Sequence, residues 1–287
     1  MIRAAASTPR LGGFGENENT MNLTTAALTA LLCVGVAIGQ RKAPPSKAEL
    51  AQITERGRQL AQYDVAVWYA SDAVVATKPT EGSVARYIAK KDGAAWTVMF
   101  GRLNDKRDRF LIAYEATQGA SPKEFAVKKN DPPKEDTGFF LFAAKAVETS
   151  LADFKGAARP YNVAVLPASS NQIYVYAVPA QTKEGVFPLG SDARYLVSAD
   201  GSTVLEKRQL HISIIEFSPA PNENVEAGFH IAVLDDIPED TDVFHVLSRR
   251  PSVPEYVGTK QYVFRIETDG TVSYLMTMEA FKKTKGK

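Results

Sequence analysis

The sequence predicts an α+β fold: mostly antiparallel sheet built of hairpins, with two main helices packed on it. Three observations lead there. Asp-Gly pairs at Asp92-Gly93, Asp200-Gly201 and Asp269-Gly270 each lie between β-rich runs, and both residues tolerate the positive φ that a tight hairpin turn needs. Two stretches carry helical spacing. The remaining apolar residues fall in short runs rich in Val, Ile, Tyr and Phe, divided by Pro, Asn and Gly, which is the punctuation of strands.

Taken in order, Ser46-Lys47-Ala48-Glu49 follows two prolines and reads as a capping box. Leu50, Ile53 and Leu60 then keep helical spacing, so a helix is expected over 46–62. The apolar run Val65–Tyr69 either continues that helix or opens a strand. Arg86–Lys90, Trp96–Leu103 and Phe110–Ala116 read as strands, and Asn130–Lys134, polar with two prolines, reads as a loop. An amphipathic helix is expected over 137–154, from the spacing of Phe139, Phe140, Phe142, Ala143, Val147 and Leu151. Strands follow at Tyr161–Leu166, Ile173–Val178, Arg194–Ser198 and a long Val204–Phe217. The last set is Phe229–Leu234, Val243–Leu247, Tyr262–Ile266 and Val272–Met276, with a fraying Lys-rich tail after Phe281. Ala85-Arg86-Tyr87 and Ala193-Arg194-Tyr195 stand at the same distance before an Asp-Gly turn; meanders that reuse one turn chemistry explain the echo more simply than a duplicated unit.

Composition narrows the classes. The 287 residues are 45% hydrophobic and 23% charged, with a formal net charge of +1. That is a globular balance without the basic stripe of a nucleic-acid binder. Leu23–Gly39 is apolar and uncharged, too short and too rich in Ala and Thr for a comfortable membrane span and suited to a secretory signal. Residues 1–39 are therefore expected to be a signal peptide, with a start at Met1 or Met21 and cleavage before Gln40. Residues 40–287 are the exported region, periplasmic or extracellular: one domain, or two packed β-rich halves meeting near 155–160. No transmembrane span is expected in it. Its only cysteine would be lost with the signal, since Cys33 lies in the apolar run. Thiol nucleophiles, CxxC pairs and thiolate metal sites are thereby set aside.

No nucleophile elbow, phosphate-binding loop or His-Glu-x-x-His motif is present. The three histidines, His211, His230 and His245, are close in sequence. If Val204–Phe217 is one strand, His211 and Ser213 share a face, either as a catalytic pair or, more plainly, as the wet face opposite Leu210, Ile212 and Ile214. His230 leads into the acidic stretch Asp235–Asp242, which either binds a cation or is solvated; with Pro238 in place of a calcium loop's glycine it reads as a solvated loop, whose Asp240 or Thr241 could cap a short helix. Arg249-Arg250 either binds an anion or carboxylate as a fork or, beside Pro251 in a loop, is solvated surface, and surface is the reading adopted. Tyr69, Tyr87, Tyr174, Tyr176 and Tyr195 either line a groove or make cross-strand packing, and packing is the reading adopted.

Gly228-Phe229-His230-Ile231-Ala232, then Asp242, then Pro254–Thr259 and Tyr262–Gly270 resembles the core of the JAMM (MPN-type) metalloproteases. The resemblance implies zinc on His230 and Asp242, with an upstream glutamate as general base. The family's second histidine is Ala232 here, its serine is missing and Asp242 falls about one residue early. A non-catalytic relative is what that implies.

The expectation is thus an exported binding or structural module, not an enzyme, with no catalytic residue, cofactor or metal. An unidentified protein or small molecule is its partner. One alternative is a degenerate metal-dependent hydrolase around His230 and Asp242 with Glu216 as the acid; another is a carrier of an apolar ligand.

Overall fold

A computed structural model gives the chain's architecture, describing residues 43–220 and 223–285. The segment expected to be a signal peptide, with its expected cleavage site, lies outside the described residues. Ser46 caps α1 (Lys47–Ala76): its hydroxyl accepts the Glu49 N–H at 3.2 Å while the Glu49 carboxylate accepts the Ser46 N–H at 2.8 Å. The apolar run 65–69 continues this helix.

Four strands follow as a meander: β1 (Arg86–Asp92), β2 (Ala95–Leu103), β3 (Phe110–Gln118) and β4 (Phe125–Asp136). The expected loop at 130–134 is instead part of β4. Pairing jumps from Tyr114↔Lys129 to Ile112↔Lys134, so the two prolines occupy a bulge where no ladder N–H is required. After α2 (Phe139–Asp153), a second antiparallel sheet runs in the order β5 (Tyr161–Pro167), β6 (Ile173–Pro179), β8 (Ala193–Val197), β9 (Val204–Gln209). β7 (Phe187–Gly190) leaves that sheet and pairs with β10 (Ile214–Phe217) as a separate two-stranded ribbon. Last come β11 (Gly228–Ile231), α3 (Asp240–Ser248), β12 (Glu255–Gly258), β13 (Tyr262–Ile266), β14 (Val272–Thr277) and α4 (Met278–Lys285). The strands of this third sheet are antiparallel apart from the parallel β11–β12 pair. All three Asp-Gly pairs sit at hairpin turns, joining β1–β2, β8–β9 and β13–β14.

Apolar residues form two cores. One gathers both meander sheets, α2 and the later turns of α1, including Tyr63, Val67 and Val74. The other packs Leu50 and Ile53 of α1 against Val243 and Val246 of α3 and the third sheet. One helix therefore serves both cores. Among the described residues no helix is long and apolar enough to cross a membrane.

Several expected elements take another form. The long strand 204–217 breaks after Gln209: the Leu210 N–H donates to Asp192 O at 3.1 Å, and the chain swings away to the ribbon. This reverses the expected facing. His211 is buried, whereas Ile212 and Ser213 are exposed. Val243–Leu247 is helix, not strand, and the Asp242 carboxylate accepts the Glu239 N–H at its first turn. Of the tail beyond Phe281, residues 282–285 belong to α4. The acidic stretch is largely buried rather than solvated, because cations and donors meet it: Arg208 pairs with Asp235 and Glu239, and Gln261 donates to Asp236. Asp240 takes Arg56, Arg194 and the Tyr176 hydroxyl. Tyr176 and Tyr195 are fully buried, as packing requires.

Candidate metal centre

Three local features bring three side chains together. β11 alternates, so Phe229 and Ile231 face outward and His230 faces inward. The break after β9 turns His211 toward it. Gly190, at φ +104°, lets the ribbon approach, since a Cβ there would lie 2.0 Å from Ser213 O. Asp242 stands in the first turn of α3.

The His211 Nε2 and the His230 Nε2 each lie 3.1 Å from the same atom, Asp242 Oδ1. All three residues are buried. Yet none of these three atoms has a hydrogen-bond partner: they converge on a point without aiming donors at acceptors. Unpaired polar atoms are costly in a protein interior, and here they share one vertex. Donors bound at about 2.0–2.1 Å to a tetrahedral ion stand roughly 3.3 Å apart, close to the 3.1 Å that separates each Nε2 from Asp242 Oδ1.

The opposite edge of each imidazole is anchored. His211 Nδ1 is 2.9 Å from Asp192 Oδ1, and His230 Nδ1 is 2.8 Å from Glu255 Oε1. Both partners are carboxylates, so each Nδ1 carries a proton and donates it, which fixes the ring with its Nε2 toward the vertex. Behind Glu255 stands Arg249, expected at the surface but fully buried. Its Nη1 donates to Glu255 Oε2 at 2.5 Å and its Nη2 to Val253 O at 2.8 Å, with the guanidinium 4.4 Å from the Phe217 ring centre. Gly228 makes room for this pair, since a Cβ there would meet Glu255 Oε2 at 2.0 Å.

The electrostatics follow from this packing. The site gathers three carboxylates (Asp192, Asp242, Glu255) and one guanidinium, Arg249 on Glu255, which leaves two negative charges for a divalent ion or two imidazole protons to balance. Without an ion, burial alone would lower both histidine pKa values. The pull of Asp242 and the flanking carboxylates outweighs it, raising His211 well above its ordinary value and His230 to about 9. Burial likewise works against the Asp242 carboxylate, but the two imidazoles hold it far below the usual range. Glu239 moves the other way: burial, with Asp240 and Asp242 nearby, raises it to about 8 against the pull of Arg208.

Of the residues singled out in the sequence, His230 and Asp242 meet here. Glu216 does not: half exposed on the ribbon, it pairs with Arg159 at 3.2 Å. Ser213 faces solvent and makes no pair with His211. His245 lies elsewhere on α3, its Nε2 donating to Phe187 O at 3.2 Å. His211, Asp192, Arg249 and Glu255 are the residues that sequence reasoning missed as parts of a site. The clustering of the histidines was the available signal, lost once His211 was placed on a continuous strand.

No protein-family model, curated protein or solved structure matches this chain.

Proposed function

We propose that the protein is a metalloprotein holding one divalent transition ion, zinc in the first instance, on His211, His230 and Asp242. The observation that carries this is the convergence of three buried, unpartnered donor atoms on one point. Two imidazoles and a carboxylate suit zinc, cobalt or nickel better than calcium or magnesium, which prefer all-oxygen shells. The carboxylate behind each imidazole is the outer shell that such sites use to fix the tautomer and raise ligand basicity. The JAMM resemblance supports the same ion on His230 and Asp242, with His211 supplying the imidazole that Ala232 does not. The N-terminal apolar run supports an exported location for the centre.

Calorimetric titration of the full chain with zinc tests the reading. One ion per chain should bind at micromolar affinity or tighter. The His211→Ala, His230→Ala and Asp242→Asn variants, each shown folded by circular dichroism, should lose at least a hundredfold. Undiminished affinity in all three, or no binding by the parent chain, would overturn the assignment.

A further inference from the structure

β11 ends the third sheet, and among the described residues no strand pairs with its outer side. The Gly228 N–H donates to Pro254 O at 2.9 Å and the Ala232 N–H to Gly258 O at 2.8 Å. Alternate residues of a strand face its partner, so the N–H and C=O of Ile231 point to the outer side. Phe229, Ile231 and Val233 are each about half exposed. Phe229 stacks on Phe281 of α4, with ring centres 6.2 Å apart, and Ile231 and Met278 lie together over Gly258. The apolar surface beside this edge therefore continues onto α4.

We infer that β11 pairs with β11 of a second copy of this chain, antiparallel about a two-fold axis at Ile231. Charge selects this edge and this partner. A two-fold axis sets each edge against itself, so a charged edge meets its own charge and is repelled. β4, with Lys128, Lys129 and two prolines, and β9, with Glu206 and Lys207, are blunted in this way. Residues 228–234 contain no Asp, Glu, Lys, Arg or Pro. Their order is also its own complement. Ile231 meets Ile231 and exchanges both backbone bonds, while Phe229 meets Val233, an aromatic against a β-branched side chain. On the inner face the small Ala232 leaves room for His230. The contact is one strand and its flanking helix, at the small end of protein interfaces, so the dimer dissociates on dilution.

The test is sedimentation equilibrium of the full chain over a concentration series, with hydrogen exchange followed in peptides covering 228–234, for the parent and for Ile231→Lys. In the monomer that lysine sits at a half-exposed position; in the dimer it meets its own copy. The parent mass should rise from 31.2 kDa toward twice that value, with exchange at 228–234 slowing as concentration rises. Ile231→Lys, shown folded by circular dichroism, should stay monomeric with exchange independent of concentration. A parent chain that is monomeric throughout would overturn the inference, even if β11 then captured a different extended peptide. A dimer whose 228–234 exchange does not change with concentration, or one that Ile231→Lys leaves intact, would overturn it equally. The exchange of the parent chain decides the matter should the variant fail to fold.

Discussion

The Asp192 side chain makes one hydrogen bond: its Oδ1 accepts the His211 Nδ1–H at 2.9 Å, while its Oδ2 is buried without a partner. It touches no ligand vertex, so its effect on the ion passes through the basicity and orientation of the ring. Replacing it by asparagine keeps the shape and removes the charge. Loss of such an outer-shell carboxylate weakens metal affinity about 10–100-fold. Competition against a chromophoric chelator should show a loss of that size for Asp192→Asn, and an unchanged affinity would contradict the role. At this scale the sequence was half legible. His230 and Asp242 were legible through the resemblance of their surroundings to the JAMM core. His211 was not, because strand alternation assigns its side chain correctly only if the strand is unbroken. Arg249 was unreadable for a related reason: an arginine before a proline looks solvated until a buried glutamate from another strand is brought to it.

Between elements, the centre depends on how closely α3 approaches α1. Gly57 sits where a Cβ would fall 2.4 Å from Val243 Cβ and 2.7 Å from Asp240 O, so the two helices meet closely on both sides of Asp242. Gly57→Ala tests whether that approach is required. Alanine favours a helix interior by up to about 1 kcal/mol over glycine, yet overpacking of this kind costs about 1–3 kcal/mol. Net destabilisation is expected in urea unfolding, and a more stable variant would show that the helices have room to spare. Hairpins were the legible elements, because Asp-Gly chemistry is local. What escaped local reading was set by distant partners. Asp192 receives Leu210 and ends β9, the bulge opposite β3 accommodates Pro132 and Pro133, and Arg208, Arg56 and Arg194 draw the acidic stretch inward.

Over the whole molecule, α1 contributes to both cores, and Asp240 joins α1, β6, β8 and α3 through Arg56, Tyr176 and Arg194. The α+β class was readable because it follows from hairpin chemistry and helical spacing; the joining of two cores through one helix and a buried carboxylate was not, since each partner is remote in sequence. Acid should loosen this assembly in part through His245. Burial, reinforced by Arg249 and only partly countered by Glu255 and Asp242, lowers its pKa to about 4. Below about pH 6.5 the unfolded chain takes up a proton that the folded chain refuses. The contribution is therefore intact above that value and lost as pH falls toward 4, by about 3 kcal/mol at most. Urea midpoints across this window should fall more steeply for the parent chain than for His245→Gln; parallel profiles would contradict the assignment.

One ion at one point, between the two Nε2 atoms and Asp242 Oδ1, is what the three side chains predict. Crystals grown with zinc, with data collected on both sides of its absorption edge, locate the metal directly. A single strong anomalous peak within about 2.0–2.2 Å of all three atoms is the predicted result. Zinc bound elsewhere on the chain, or no peak between His211, His230 and Asp242, would contradict it.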